Sequence, residues 1–288
     1  MKRFYLLIDC KFFYCFLTNK WIEQFANTDV FLGILIRETR PNKNILQRRM
    51  AFHSAYAGHK ELTPEMEHEL TQLYEDFGEE SKAAISCFGI PPLSTSNFDR
   101  VRFMGNDLNS QANCQWLQEN IQNRDIWLFS RVGQILKKPW LDACNGRLVN
   151  MHGAILPYAR GTNAIQQIAR QKDIKQFSQA AGVTIHYIDS GVDTGNLIRS
   201  ERISDPFQYK HLWELTAHIN QFGCDIYTRT ALEILQYPYT YPAGIPFNIS
   251  QMGKNHRRKE FDLEAAKEAE QAYQQMKLEH QKKSTSSV

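Results

Sequence analysis

The N-terminal segment constrains the fold more than any other part of this sequence. Residues 4–10 and 30–36 are short runs dominated by apolar, β-prone side chains, which is typical of strands buried on both faces. Between them, residues 12–25 place apolar side chains at helical spacing, with Trp21 and Phe25 one turn apart. Strand, helix and strand at this spacing predict a βαβ unit, and a βαβ unit requires parallel strands. We therefore expect an α/β fold with a mainly parallel sheet flanked by helices.

The same alternation continues along the chain, which predicts one large domain over residues 1–240. Further strands are predicted at residues 101–104, 125–129, 147–151 and 183–188, and helices at residues 111–121, 163–171, 174–181 and 210–235. Residues 40–98 are expected to be an insertion, with a helix that is capped by Thr63 and runs towards Phe77, and with a loop at residues 91–97.

The C-terminal residues 241–288 are predicted to be an extension of that domain. A turn-rich linker comes first, and residues 262–277 are rich in Ala, Glu and Gln, which indicates a charged helix. Residues 282–288 are polar and are expected to be disordered.

Composition excludes several classes of protein. The net charge of +3 is small, so no strongly charged surface for a polyanion is expected. No segment reaches the apolar length needed to span a bilayer, and we expect no membrane association. The cysteines lack any CxxC pair, which argues against a metal site or a disulfide framework and predicts a reducing, cytoplasmic location. They are Cys10, Cys15, Cys87, Cys114, Cys144 and Cys224.

Two separate segments carry polar side chains suited to catalysis. Asn150 and His152 are two residues apart at the end of a predicted strand, so they project from one face, where an amide and an imidazole can stabilise an oxyanion and transfer a proton. Asp193 lies in the tight loop after the strand at 183–188, and beside His152 it would orient the ring and stabilise its charged form. On spacing alone a plainer interpretation stays open, in which Asn150 caps a turn, His152 packs as a loop histidine and Asp193 is a turn aspartate.

A cluster of basic residues near the insertion also allows two interpretations. One is a solvated, positively charged face, and the other is a phosphate-binding patch for a nucleotide-linked acceptor, because arginine suits bidentate contacts to phosphate. The cluster comprises Arg37, Arg40, Lys43, Arg48 and Arg49.

The segments at residues 150–157 and 182–195 together resemble a known family. The first includes Asn150, His152, Gly153 and Pro157, and the second ends in Asp193-Thr194-Gly195. This pair of segments is similar to the formyltransferases that use 10-formyltetrahydrofolate, and the similarity extends to residues 125–129, 133–136 and 160–161. It covers residues 100–200 well and the rest of the chain poorly.

The resemblance implies a Rossmann-like formyltransferase fold with a helical C-terminal extension, and a catalytic trio of Asn150, His152 and Asp193. An amine would attack the formyl carbon of 10-formyltetrahydrofolate, Asn150 and protonated His152 would stabilise the oxyanion, and Asp193 would keep His152 charged. Backbone groups on two loops would clasp the pterin. These loop residues are Val132, Gly133, Gln134, Ile135, Leu136, Ile188, Asp189, Gly191 and Val192.

The acceptor is the least determined part of this prediction. His152-Gly153 resembles the tRNA and amino-sugar branches of the family, but the residues after 240 lack the β-prone runs of a tRNA-binding barrel. We therefore expect a small amine, such as a nucleotide-linked amino sugar or the amine of a specialised metabolite, and no nucleic acid partner. A methionyl-tRNA formyltransferase, a formyltetrahydrofolate hydrolase and a non-catalytic folate- or sugar-nucleotide-binding module stay open as alternatives, as does a homodimer.

Overall fold

The computed structural model describes residues 2–38, 42–75, 77–248 and 251–285. Its main sheet has seven strands in the order β3-β2-β1-β4-β5-β7-β8, and β6 pairs separately with β9. The strands are β1 Arg3–Asp9, β2 Phe31–Arg37, β3 Val101–Phe103, β4 Ile126–Arg131, β5 Leu148–His152, β6 Arg160–Gly161, β7 Gly182–Tyr187, β8 Leu197–Arg202 and β9 Asn255–His256. The predicted fold class, an α/β protein with a mainly parallel sheet, is confirmed.

Helices connect most of these strands, as the sequence predicts for a parallel sheet. They are α1 Tyr14–Phe25, α2 Lys43–Tyr56, α3 Pro64–Leu73, α4 Glu79–Phe88, α5 Gln111–Asn120, α6 Lys138–Cys144, α7 Ala164–Ala169, α8 Ile174–Ala180, α9 Leu212–Gln236 and α10 Leu263–Thr285.

The chain divides into two compact units, and the boundary falls inside β5. One unit comprises residues 1–150 and 224–242, and the other comprises residues 151–223 and 243–288. The functional division expected from the sequence, a catalytic domain at 1–240 with an extension at 241–288, stays a prediction.

The first unit is built on the predicted βαβ segment. Strand β1 pairs in parallel with both β2 and β4, and β4 pairs in parallel with β5. Phe4 on β1 is fully buried, and its ring contacts those of Trp21 and Phe25 on α1 at 5.5 and 4.9 Å between centroids. Aromatic contacts of this kind explain why the N-terminal pattern is a reliable indicator of the fold.

The insertion is more helical than the sequence indicates. Helix α3 begins as predicted, because the Thr63 hydroxyl accepts a hydrogen bond from the Met66 N–H at 3.3 Å, but it ends at Leu73 instead of reaching Phe77. Tyr74 takes an extended conformation there and its side chain is buried. Helices α2 and α4 were not predicted, and residues 94–97, expected to be loop, form a 3-10 turn.

The basic cluster is not one solvated face. Arg49 is buried and pairs with Glu38 at 2.5 Å, while its other guanidinium nitrogens donate to the Leu73 carbonyl at 3.0 and 2.7 Å. Arg37 and Arg48 pair with Asp9 and Glu69. Lys43 is exposed, and Arg40 lies outside the described residues. Both interpretations of the cluster are therefore wrong for Arg49, which is buried and paired, whereas Arg37 and Arg48 are paired but partly exposed and both interpretations stay open for them.

In the second unit, β7 and β8 form an antiparallel pair, and β8 had not been predicted. Tyr273 on α10 is fully buried, with its hydroxyl donating to the carbonyls of Pro206 at 2.9 Å and Tyr209 at 3.0 Å. Helix α10 continues to Thr285, so the expectation of disorder from residue 282 is wrong up to that point, and residues 286–288 lie outside the described residues.

Two further expectations concern cysteines and membranes. All six cysteines are free thiols. Within the described ranges, none of the helices combines the length and the apolar character that crossing a bilayer would need.

Candidate active site

The end of β5 carries the first two candidate residues. Asn150 and His152 belong to this strand, and His152 is 8% exposed. The turn that follows is fixed by Thr184 on β7, whose hydroxyl donates to the Ala154 carbonyl at 2.9 Å and accepts from the Leu156 N–H at 3.0 Å. A buried imidazole is therefore held at a strand end whose backbone is itself hydrogen-bonded.

The orientation of the His152 ring follows from its two neighbours. Its Nε2 atom lies 2.9 Å from the Ala159 carbonyl, which can only accept a hydrogen bond, so Nε2 donates. Its Nδ1 atom faces the carboxylate of Asp193 at 3.7 Å. An arrangement with an acceptor opposite each ring nitrogen favours the cationic ring.

Asp193 lies at the centre of a small cluster in the second unit. One carboxylate oxygen faces His152 and accepts a hydrogen bond from the Gly161 N–H at 2.8 Å, and the other lies 3.6 Å from Nε2 of His186. The two imidazole distances are too long for ordinary hydrogen bonds, so these contacts are mainly electrostatic. The sequence-predicted pair of His152 and Asp193 is thus brought together.

The electrostatics of the cluster favour a permanently ionised carboxylate. Burial alone would raise the pKa of Asp193, but the charges of His152 and His186, with the Gly161 N–H, lower it well below its ordinary value. Asp193 is therefore an anion throughout the physiological pH range.

The loop around Asp193 requires a glycine at position 195. A side chain at Gly195 would place its Cβ 1.9 Å from the Tyr187 carbonyl oxygen. Asp193 itself has a φ of +51°, a left-handed conformation that Asp tolerates better than most residues. The Asp189 carboxylate accepts hydrogen bonds from the Gly191 N–H and the Thr194 hydroxyl, which closes the loop.

Three participants in this cluster had no predicted role. His186 and the Gly161 N–H both contact Asp193, and the Arg160 guanidinium donates to the Val192 carbonyl at 2.7 Å. His186 alternates with Ile185 and Tyr187 along β7, so strand periodicity gave its face but not its partner. Gly161 contributes only its backbone N–H, and a backbone contact cannot be predicted from the type of residue.

The first loop predicted to hold the pterin lies after β4, in the first unit. Its backbone is tied down by three neighbours: the Gly133 N–H donates to Asp9 at 2.7 Å, Gln134 accepts from the Leu108 N–H at 2.8 Å, and the Ile135 carbonyl accepts from Asn109 at 3.0 Å. The Ile135 side chain is 64% exposed, whereas Leu136 is buried. A rigid loop with an exposed apolar side chain is suited to contact a flat ring, and its role stays a prediction.

The second predicted loop, residues 188–192, lies in the other unit. Its Gly191 N–H and its Val192 carbonyl are engaged by Asp189 and Arg160 respectively. The pterin-binding role of this loop also stays a prediction, as does the role of Val132.

Comparisons with known proteins concern the sequence and the fold of this chain. Residues 91–228 match the family model described as Formyl transferase. A methionyl-tRNA formyltransferase of Methylacidiphilum infernorum is 31% identical over 101 residues, which are 35% of this chain and 29% of the relative. A phosphoribosylglycinamide formyltransferase of Bacillus subtilis is 30% identical over 97 residues, which are 33% of this chain and 47% of the relative. The matched part therefore spans less than half the length of either curated relative.

One solved structure extends the comparison to the fold of nearly the whole chain. An N-formyltransferase from Helicobacter canadensis, in complex with folinic acid and dTDP-3-aminofucose, is 13% identical with a TM-score of 0.55, over 95% of this chain and 81% of that one. The fold and the site thus define the class, a Rossmann-like α/β protein of formyltransferase fold. Within that class, residues 91–228, just under half of the chain, match the formyl transferase family.

Proposed function

We propose that this protein transfers the formyl group of 10-formyltetrahydrofolate to a primary amine of a small acceptor. The observation that carries the proposal is the ionised Asp193 with His152 at 3.7 Å from its carboxylate, in the part of the chain that matches the formyl transferase family. Formyl transfer needs an oxyanion stabiliser and a route for the proton of the attacking amine, and this cluster offers both.

In the proposed reaction, the amine nitrogen attacks the formyl carbon and the carbonyl π electrons move onto its oxygen. The Asn150 amide donates to that oxyanion, and the cationic His152, whose two ring nitrogens face the Ala159 carbonyl and Asp193, stabilises it through its positive charge. Asp193 keeps the imidazolium in place and helps to take the proton that the amine loses. When the intermediate collapses, the bond to the tetrahydrofolate nitrogen breaks, and that nitrogen takes up a proton. The folate supplies the formyl group and the leaving group, held by backbone groups of residues 132–136 and 188–192.

The acceptor is proposed to be a nucleotide-linked amino sugar or the amine of a specialised metabolite. The Helicobacter canadensis neighbour was solved in complex with dTDP-3-aminofucose, which supports the first class by analogy of fold. A nucleic acid acceptor is less favoured, because a net charge of +3 gives only a weak overall attraction to the many phosphates of tRNA. The six free thiols support a reducing location such as the cytoplasm.

The test is to incubate the protein with 10-formyltetrahydrofolate labelled in the formyl group and with a panel of amines, beside His152→Ala and Asp193→Asn. Labelled amide from the wild type, reduced on the order of a hundredfold or more in both variants, would support the proposal. Labelled formate released without any acceptor would indicate the hydrolase instead. A wild-type protein that binds no donor would contradict formyl transfer altogether.

A further inference from the structure

The first unit contains a cavity that the proposed reaction does not yet use. It has a volume of about 240 Å³ and is lined by residues of β1, α1, β2, α2, the 3-10 turn at 94–97 and β3. Apolar side chains supply much of its wall, among them Cys15, Leu46, Met50, Leu93, Phe98 and Val101. An apolar cavity of roughly 150 Å³ already accommodates a benzene ring. This one has room for a ring with a short chain.

Two of the three charged side chains in the cavity wall, Asp9 and Arg49, are neutralised by the protein, and the third, Lys11, lies over the Tyr14 ring at 5.8 Å from its centroid. Asp9 accepts from Arg37 at 3.2 Å and from the Gly133 N–H at 2.7 Å. Arg49 is paired with Glu38 and also donates to the Leu73 carbonyl. Burial raises the pKa of the Cys10 thiol, which keeps that group uncharged. A diphosphate would meet an arginine whose hydrogen bonds are already made.

The position of the cavity relates it to the proposed reaction. Ile8 and Asp9, at the carboxyl end of β1, line it, and Asn150, in the middle of β5, is level with Leu7 of β1 across β4 in the same unit. In the order β3-β2-β1-β4-β5, the chain reverses its direction of travel between β1 and β4, where ligands of open α/β sheets bind, and the cavity borders this switch point through β1. Strands β1 and β5 are two strand spacings apart, about 10 Å.

We propose that this cavity holds the body of the formyl acceptor, and that the acceptor is a primary amine with an uncharged, mainly apolar group of about the size of a phenyl ring. The inference rests on the proposed formyl transfer and narrows its acceptor: the cavity favours the amine of a specialised metabolite over a nucleotide-linked sugar. A short spacer that bridges about two strand spacings would bring the amine from the cavity towards Asn150.

The test uses a series of phenylalkylamines with spacers of increasing length, and a dTDP-linked amino sugar as the competing acceptor. Formylation and its KM are measured for the wild type, for Thr95→Trp, which inserts a ring into the cavity from the 3-10 turn, and for Asn97→Trp. Asn97 is exposed on the same turn and does not line the cavity, so it is the matched control. Binding of the best amine is also measured by titration calorimetry, without donor, so that the result does not depend on turnover.

We expect one spacer length to be preferred, and Thr95→Trp to raise the KM of that amine at least tenfold while Asn97→Trp leaves it at the wild-type value. Cys15→Ala, which enlarges the cavity from α1, should shift the preference towards a bulkier ring and serves if Thr95→Trp does not fold. Amines that fail to bind, or that bind equally well to Thr95→Trp, would overturn the inference. If the phenylalkylamines fail but the dTDP-linked sugar is formylated efficiently, the proposed formyl transfer stands and only the cavity inference is wrong. If the protein does not bind 10-formyltetrahydrofolate, the proposed formyl transfer is itself wrong.

Discussion

At the scale of single residues, the site depends on one carboxylate shared by two histidines. Asp193 faces His152 at 3.7 Å and His186 at 3.6 Å, and a backbone N–H binds it at 2.8 Å. The loop that presents it needs a glycine at position 195, because a side chain there would overlap the Tyr187 carbonyl. We therefore expect His186 to support Asp193, a contact that strand periodicity alone did not indicate.

His186→Phe should lower kcat by about fivefold to a hundredfold, because it takes a polar neighbour at 3.6 Å away from a buried carboxylate, and a buried polar group that loses a partner costs about 1–3 kcal/mol. The KM for the folate donor should change little, since His186 contacts Asp193 and belongs to neither predicted pterin loop. His186→Gln is the matched variant, because its amide can still donate towards Asp193 and should restore part of the rate. Steady-state kinetics check this, and a His186→Phe enzyme with the wild-type kcat would contradict the role.

Acid should destabilise the wild type more than Asp193→Asn. The folded-state pKa of Asp193 lies below its unfolded value of about 3.9, so its contribution to stability is complete above that pH and is lost as the pH falls towards the folded pKa. Urea unfolding midpoints at about pH 5 and about pH 3 measure the difference. Between about pH 5 and about pH 3, the unfolding midpoint of the wild type should fall further than that of Asp193→Asn. An equal fall in the two proteins would mean that the folded state does not stabilise the Asp193 carboxylate.

At the scale of elements, α9 stabilises the strands next to the site in the first unit. Tyr227 is fully buried on this helix, and its hydroxyl donates to the carbonyls of Ser130 at 3.1 Å and Val149 at 2.9 Å, the ends of β4 and β5. The helix was predicted from apolar spacing alone. The hydrogen bonds from Tyr227 to the two strands could not be predicted, because a buried tyrosine and a buried phenylalanine give the same apolar spacing in a helix.

Tyr227→Phe should reduce the free energy of unfolding by about 1–3 kcal/mol, since two buried carbonyls lose a donor while the ring packing remains. Tyr239→Phe, at a position that is 75% exposed in the same unit, should be within about 0.5 kcal/mol of the wild type. Chemical denaturation measures both. Equal stability of Tyr227→Phe and the wild type would show that the hydroxyl contributes nothing.

The elements also show what the sequence could and could not predict. Buried parallel strands and α1 were predictable because their apolar periods are strong. Helix α2 was missed because its buried face is formed by Arg49, Phe52 and His53, so charged residues occupy positions where apolar ones would signal a helix. Strand β8 was missed because it is only half buried and alternates Arg and Glu with small or apolar residues. In the site, His152 and Asp193 were predictable from the pattern of polar residues, whereas the contacts of His186 and the Gly161 N–H with Asp193 depend on the fold and leave no such pattern.

At the scale of the whole molecule, the C-terminal segment has a larger role than an appended tail. Residues 243–288 fold with residues 151–223, the unit that contains His152 and Asp193. Strand β9 pairs with β6, so the segment that begins at Asn255 lies against Arg160 and Gly161. The Gly161 N–H is also the one that binds Asp193, so the C-terminal segment supports the site through the backbone.

Tyr273→Ala on α10 should therefore cost about 3–5 kcal/mol, as for other buried aromatic side chains, and should reduce activity through loss of folded protein. Leu278→Ala on the same helix, where the side chain is 59% exposed, is the control and should be nearly neutral. Thermal unfolding and activity are measured in parallel for both variants, to show whether lost activity follows from lost stability. A stable, active Tyr273→Ala protein would mean that the second unit does not depend on α10.

The central claim is that Asp193 and His152 act together in formyl transfer, and a single-turnover measurement tests it most directly. Enzyme in excess over labelled 10-formyltetrahydrofolate is mixed with a saturating amine, and the rate of amide formation is compared for the wild type, His152→Ala, Asp193→Asn and the double variant. We predict a loss on the order of a hundredfold or more for each single variant, little further loss for the double variant, and unchanged donor affinity. Asp193→Asn with the wild-type rate, or losses that multiply in the double variant, would contradict the account.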